Sequence, residues 1–240
     1  MKTLHHRLDQ KLFSLKLVSS RSQAESFIKL GVVTVDGQIV RKTGAMVTDS
    51  AKIEVLSDQY VSRAGLKLAS VAQTLRLDFT DKLVLDVGSS TGGFTDYALR
   101  HGASKVIAVD VGTDQLHPSL HGHPKIELHE QTDIRSIKEL SDAVDIVVID
   151  VSFISLREIL PHVAKLSSPK TMVVAMVKPQ FEAGREQINK GIIKNERVRR
   201  DILKEFEIWA QKLFVVIDKA DSDVAGSKGN RERFYLLKCS

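Results

Sequence analysis

The sequence predicts an α/β protein: a doubly wound, mostly parallel sheet preceded by a small α+β unit. Three observations carry this. After residue 62, short apolar runs alternate with segments long enough for crossover helices or shorter connections. Runs such as Leu83–Val87 and Val144–Asp150 are apolar at nearly every position, as strands covered by helices on both faces must be. Before residue 57, Asp36-Gly37 divides two apolar runs, which marks a two-residue hairpin because both turn residues need positive φ. The composition suits such a fold: 240 residues, 42% hydrophobic and 27% charged, enough for one large domain or two modest ones.

The small unit is expected over residues 1–58. Leu8, Leu12, Leu15 and Leu17 suggest a first helix and its exit. Ser19 or Ser20 suits an N-cap for a second helix, Arg21–Leu30, with Ala24, Phe27, Ile28 and Leu30 at helical spacing and Gly31 as its stop. Val32–Val35 and Gln38–Val40 form the hairpin, and Ala51–Leu56 supplies another strand. Lys and Arg recur through the unit at Arg7, Lys11, Lys16, Arg21, Lys29, Arg41 and Lys42. Singly such residues only solvate a surface; together they make a candidate phosphate-contacting face.

Residues 59–62 are expected to link this unit to a larger domain over 63–240. Its strands are predicted at Leu83–Val87, Lys105–Val109, Ile126–Leu128, Val144–Asp150, Thr171–Val177, Leu213–Asp218 and Arg233–Lys238. The last two are separated by a polar segment without helical period. An antiparallel hairpin fits there better than a right-handed crossover. Trp209, at helical spacing with Phe206 and Leu213, is read as core.

Composition also excludes classes. The single cysteine, Cys239, rules out a disulfide scaffold and fits a reducing compartment. No apolar run is long enough to span a bilayer, and the amino terminus has no apolar signal core, so a cytoplasmic protein is expected. A formal charge of +5 tilts the partner question mildly toward nucleic acid.

The first long strand runs into Asp86-Val87-Gly88-Ser89-Ser90-Thr91-Gly92-Gly93-Phe94, and the second ends at Asp110. Glycines at a strand–helix turn admit close backbone approach to a ligand, and a carboxylate after the next strand can take a ribose diol. The spacing is not Gly-x-Gly-x-x-Gly, nor is there a Gly-x4-Gly-Lys-Ser/Thr loop, which argues against dinucleotide enzymes and nucleoside triphosphatases. Four polar residues stand at expected strand ends or at the domain entrance: Lys67, Asp150, Lys178 and Glu232. Ligands of open parallel sheets bind beyond the carboxyl ends of the strands, so Asp150 and Lys178 are expected at the mouth.

Two resemblances follow. Arg7-Leu8-Asp9, Ser20–Ala24 and Ile28–Gly37 resemble the small RNA-binding module of ribosomal protein S-four, over residues 5–56. The glycine turn, the acidic residue after the second strand and the terminal hairpin resemble S-adenosylmethionine-dependent methyltransferases of the FtsJ-like kind. That implies a Rossmann-like, class I methyltransferase fold: a seven-stranded mixed sheet with the last strand antiparallel. Ser-Arg-Ala-Gly-Leu-Lys-Leu (62–68), Ile-Asp-Val-Ser-Phe-Ile-Ser-Leu (149–156), Val-Lys-Pro-Gln-Phe-Glu (177–182) and Gly-Asn-Arg-Glu (229–232), with the amino-terminal module, make the whole chain similar to the TlyA family, also called hemolysin A. The resemblance implies methyl transfer to a cytidine ribose 2′-oxygen in ribosomal RNA, with the large subunit favoured.

The same resemblance implies roles. S-adenosylmethionine would lie on Asp86, Gly88, Ser89, Ser90, Thr91, Gly92, Gly93 and Phe94. Asp110 would take its ribose and Asp133 would sit by the adenine, although an Asp there also suits a helix N-cap. Lys178 would act as base or proton acceptor, Lys67 as the second cation, Asp150 as the orienting carboxylate and Glu232 as a support for Lys67 or the ribose, with sequence leaving open which lysine is neutral. RNA contacts are expected from Arg7, Lys11, Arg21, Lys29, Arg41 and Lys42, joined by Arg63, Arg185 and Lys190 in the larger domain. No metal, no membrane and a monomer are expected. The competing readings are a non-catalytic RNA-binding assembly protein on this fold, and a pore-forming hemolysin, for which no spanning helix or barrel repeat speaks.

Overall fold

The computed structural model describes residues 5–18, 21–55, 60–184, 192–193, 195–224, 226 and 230–239. The chain divides into two compact units, Met1–Gln59 and Tyr60–Ser240.

The first unit opens with β1 (His5–Arg7) and α1 (Leu8–Ser14), followed by α2 (Arg21–Leu30), β2 (Val33–Val35), β3 (Gln38–Ile39), β4 (Met46–Thr48) and β5 (Ile53–Val55). β2 pairs antiparallel with β3 and β5, and Asp36 and Gly37 both take positive φ in the expected turn. A second, two-stranded ladder joins β1 to β4, and neither strand was anticipated from sequence, because three residues show no usable period. α1 ends at Ser14, so Leu15 and Leu17 belong to its exit. Leu8, Leu12, Ala24, Phe27, Ile28 and Val33 form the fully buried centre. The suggested cap at Ser19 or Ser20 lies outside the described residues.

The second unit begins with α3 (Arg63–Ala72), capped by the Ser62 hydroxyl, which accepts from the Ala64 N–H at 3.3 Å. There follow β6 (Leu83–Val87), α4 (Gly93–Arg100), β7 (Lys105–Val109), β8 (Ile126–His129), β9 (Ile146–Ile149), α5 (Leu156–Leu166), β10 (Met172–Val177), α6 (Pro179–Glu182), α7 (Glu196–Ala210), β11 (Phe214–Asp221) and β12 (Arg233–Cys239). The seven strands lie in the order β11-β12-β10-β9-β6-β7-β8, with β12 antiparallel to both neighbours. The expected mixed sheet with an antiparallel last strand is present. No helix among the described residues is long and apolar enough to cross a membrane.

Strand alternation sorts side chains onto two cores. Leu85, Val87, Val147, Ile149, Val173, Ala175, Val177, Tyr235 and Leu237 pack against α5 and α7. Val84, Ile146, Val148, Val174, Met176, Phe234 and Leu236 pack against α3 and α4. Each such fully buried side chain contributes roughly 1.5–3 kcal/mol over exposure. Trp209 is half-buried at the margin of the first core, with Arg157 5.9 Å over its ring, rather than inside it as expected. Its helical phase points inward, but Phe206 already fills the centre and the larger indole is left at the rim.

α3 and α4 meet at glycines. A Cβ on Gly65 would lie 2.9 Å from the Gly93 carbonyl oxygen, so the two backbones touch. That close approach sets α3, and with it Lys67, against the face of the sheet lined by Val174, Met176 and Phe234.

Candidate active site

Alternation continues beyond the last residue of each strand. Asp150 follows Ile146 and Val148, Lys178 follows Val174 and Met176, and Glu232 precedes Phe234 and Leu236, all on the α3–α4 face. Since β9, β10 and β12 are successive strands, the three charged residues stand side by side at one edge. Lys178 Nζ lies 2.5 Å from Asp150 Oδ1 and donates to Ser152 Oγ at 2.7 Å. Lys67 Nζ lies 2.6 Å from Glu232 Oε2. The four residues predicted as a set are therefore brought together as two ion pairs. They are also shielded: Lys178 is 8% and Glu232 2% exposed. Burial pushes the Glu232 carboxyl up, opposed first by Lys67 and, less strongly, by Lys178, while Asp150 adds to the rise.

Beside them the β6–α4 turn borders two clefts. The larger, about 520 Å³, is lined among others by Gly88, Ser90, Asp110, Gln115, Asp133, Asp150, Ser152 and Phe153. A smaller one of about 130 Å³ is lined by Ala64, Asp86, Gly88, Ser89, Ser90, Thr91, Phe94, Asp150, Ser152 and Lys178. Gly88 has φ +81°, and a Cβ there would lie 2.9 Å from the Asp150 carbonyl oxygen, so this crossing requires glycine.

Gly92 and Gly93 complete the same turn into α4. Neither lines these clefts. A Cβ on Gly92, at φ +86°, would meet Leu120 Cδ1 at 2.5 Å and Leu116 Cδ1 at 2.8 Å, and one on Gly93 would meet Ala64 at 2.7 Å. Their direct neighbours are protein, and they shape the cradle from behind. Phe94 is 2% exposed and sits beneath the smaller cleft with its ring centroid 6.0 Å from that of Phe234, the two rings tilted.

Asp86 is fully buried. Its Oδ2 accepts from the Thr95 hydroxyl at 2.7 Å, and its Oδ1 has no hydrogen-bond partner among the described residues. Burial pushes its carboxyl up to about 7, helped by Asp150 and Asp110 and opposed by Thr95. Asp110 accepts from the Ser90 N–H at 2.8 Å and the Gly112 N–H at 2.7 Å, which ties the two strand-end loops together. A carboxylate has about four lone-pair positions, so acceptor capacity remains for a diol. Asp133 is indeed an N-cap, of the 3-10 turn Ile134–Ser136: it accepts from the Arg135 N–H at 2.9 Å and pairs with the Arg135 guanidinium at 2.6 Å, which holds its carboxyl low. It still lines the larger cleft, with Arg135.

Sequence reasoning assigned nothing to Ser152 or Phe153, although both sit in a quoted motif. Phe153 is 90% exposed at positive φ on the lip of the larger cleft, its ring 5.2 Å from Phe181. An aromatic held in water at a strained backbone angle is a signal only coordinates supply.

The basic residues of the first unit separate into two kinds. Arg7 and Arg21 both pair with fully buried Asp9, at 3.0 and 3.1 Å. Lys11 pairs with Asp49 at 2.6 Å, and Arg41 folds over Gly31 to donate to the Lys29 carbonyl at 3.1 Å. Lys29 and Lys42 are exposed. In the second unit Arg63 is half-buried at the first turn of α3. Arg185 and Lys190 lie outside the described residues. Among the described residues no group of three or more His, Cys, Asp or Glu side chains is placed to hold a metal.

Both parts of the chain are similar to known proteins. The FtsJ-like methyltransferase model matches residues 60–239 and the S4 domain model residues 6–53. The 23S rRNA (cytidine-2′-O)-methyltransferase TlyA of Campylobacter jejuni is 38% identical over 79% of this chain and 75% of its own. The 16S/23S rRNA (cytidine-2′-O)-methyltransferase TlyA of Mycobacterium tuberculosis is 34% identical over 97% of this chain and 89% of its own. A solved structure named for hemolysin, from Streptococcus thermophilus, superposes with a TM-score of 0.73 at 36% identity, covering 98% of this chain and 89% of that one. The chain thus belongs to the FtsJ-like methyltransferase family and, within it, to the TlyA group that carries an S4 domain ahead of the methyltransferase domain.

Proposed function

We propose that the protein transfers a methyl group to the ribose 2′-oxygen of a cytidine in ribosomal RNA, working with ribosomal particles in the cytoplasm. The observation that carries this reading is the pair of shielded Lys–carboxylate contacts, Lys178–Asp150 and Lys67–Glu232, on one sheet edge beside the Gly88 cleft. The residues present fit S-adenosylmethionine. The glycine crossing at Gly88 lets a ligand lie on backbone, Asp110 keeps acceptor capacity for a diol, and Asp86 Oδ1, without a partner among the described residues, lies under the smaller cleft. A cleft of about 520 Å³ is of the size that small-molecule cofactors take.

The cofactor supplies a methyl on a positively charged sulfur, so the protein's task is to align the 2′-oxygen and manage its proton. Asp150 and Ser152 hold the Lys178 amine from two sides, which aims its remaining valence toward the cleft. Lys178, as a neutral amine with its two N–H bonds given to Asp150 and Ser152, takes the hydroxyl proton on its lone pair, directly or through water, as the oxygen attacks. Lys67 keeps a second positive charge near the developing alkoxide, and Glu232 fixes Lys67 in place. Phe153, exposed on the lip, offers a face on which a base can stack, which every base permits. The S4 domain supplies further RNA affinity through exposed cations such as Lys29 and Lys42.

The test is a map of ribose 2′-O-methyl groups in both ribosomal RNAs from a strain lacking this protein. One missing cytidine methyl, restored by the wild-type gene and not by Lys178→Ala, supports the reading. Identical maps with and without the gene refute it.

A further inference from the structure

Glu232 meets Lys67 from a chain segment whose flanking residues point to the opposite face of the sheet. That alternation is held by a second charge cluster. Asp221, at the end of β11, receives three guanidinium groups: Arg233 Nε at 2.6 Å, Arg199 Nη2 at 2.8 Å and Arg231 Nη2 at 3.3 Å. Arg231 and Arg233 are the residues immediately before and after Glu232. One carboxylate therefore grips both neighbours of a residue in the active site. The backbone is pinned as well. Arg199 Nε donates to the Arg231 carbonyl at 3.1 Å, and the Ser222 N–H donates to the Glu232 carbonyl at 3.0 Å.

We propose that Asp221 and Arg199 are positioning residues for methyl transfer: they clamp the chain on both sides of Glu232 and so hold its carboxylate on Lys67. The proposal rests on the methyltransferase reading above.

Two features separate this cluster from an ordinary stabilising ion pair. Arg199 is 5% exposed, yet it does not spend its fork on the carboxylate, the strongest pairing available to it. It divides the fork between Asp221 and the carbonyl that precedes Glu232. In addition, three cations on one anion exceed what neutrality needs. The third, Arg231, is half exposed and held at the longest distance, and what it contributes is a fixed direction for the residue next to it. The carboxyl of Asp221 is correspondingly held low, at about 2, by Arg233 and Arg199 against the opposing effect of burial, so the clamp stays charged at every working pH. Facing Glu232 on the other side are Lys67, Lys178 and Asp150. A tilt of the carboxylate away from Lys67 would leave that lysine without its partner.

The experiment is a double-mutant cycle in single-turnover methylation of the ribosomal RNA substrate at saturating S-adenosylmethionine. Arg199→Lys keeps the charge and loses the fork. Asp221→Asn keeps the size and loses the charge. Each is expected to lower the rate about tenfold in the wild-type background and less than about twofold in Glu232→Gln, because a clamp has nothing to position once its target is gone. Affinity for S-adenosylmethionine by calorimetry should stay within about twofold. Equal falls in both backgrounds, or no fall in either, overturn the proposal. A second readout needs no activity. In protein carrying 13C-labelled glutamate, the Glu232 carboxyl resonance, identified by its loss in Glu232→Gln, should titrate lower in Arg199→Lys as the side chain turns toward water. An unmoved midpoint overturns the proposal. Should wild-type protein methylate no ribosomal RNA, the functional reading falls, and this titration still decides the clamp.

Discussion

Lys178 Nζ and Asp150 Oδ1 stand 2.5 Å apart because they extend adjacent parallel strands, paired in register from Met172–Ile146 to Ala175–Ile149. The contact is imposed by the sheet rather than by a loop, so its geometry is as rigid as the core beneath it.

Lys178→Ala is expected to keep S-adenosylmethionine and RNA affinity and to lower the single-turnover rate by about 10²–10⁴, the usual worth of general acid–base help. Lys178→Arg should not restore it, since a guanidinium does not release its proton near neutrality. Turnover near the wild-type level in Lys178→Arg would assign the residue a purely electrostatic role.

Cofactor affinity is best probed at Asp110 rather than at Gly92. Valine at Gly92 would run into Leu116 and Leu120 at a positive φ, so a lower melting temperature should accompany any loss of binding. Asp110→Ala removes the expected ribose acceptor together with the bonds from Ser90 and Gly112. Its dissociation constant for S-adenosylmethionine should rise by about tenfold or more, equivalent to one or two lost charged hydrogen bonds. Unchanged affinity by calorimetry in the folded variant would remove Asp110 from the cofactor site.

RNA binding by the first unit should be tested at Lys29 and Lys42. Glutamate at Arg7 or Arg21 would set a negative charge against the fully buried carboxylate of Asp9 and unfold the unit. Lys29→Glu with Lys42→Glu spares that pairing and should weaken ribosomal RNA binding and flatten its salt dependence, leaving cofactor affinity unchanged. Filter binding across a salt series distinguishes this from an unaltered slope, which would exclude both residues.

Asp86 predicts a pH dependence of stability. Its folded carboxyl, near 7, binds its proton more tightly than the ordinary value of 3.8 allows in the unfolded chain. The group therefore favours folding most below about pH 4, and that contribution, on the order of a few kcal/mol, fades as pH rises through about 7. Asp86→Asn should remove this component of the slope. Denaturant midpoints from pH 4 to 8 with identical slopes in both proteins would show that Asp86 is ionised throughout.

Phe153→Ala should leave the melting temperature unchanged, because the side chain is 90% exposed and alanine keeps the same backbone cost at positive φ. The rate with RNA at subsaturating concentration should fall by about tenfold, the worth of one base–aromatic stack. An unaltered rate would leave the ring without a role in RNA binding.

Much of this protein was legible in one dimension. The strands of the sheet announced themselves through runs apolar on both faces, and the terminal hairpin through the lack of a helical connection. The period of two even placed Asp150, Lys178 and Glu232 in phase with the Val148, Met176 and Phe234 side of their strands. Sequence by itself could not say that those three strands are neighbours. Strand order is set by which buried surfaces and crossovers fit together across the whole chain, and no local period encodes it. The same limit hid the approach of Gly65 to Gly93, which delivers Lys67 to Glu232, and the grip of Asp221 on the neighbours of Glu232. Residue type and phase fix which side chains a segment can offer; long-range packing decides which of them meet.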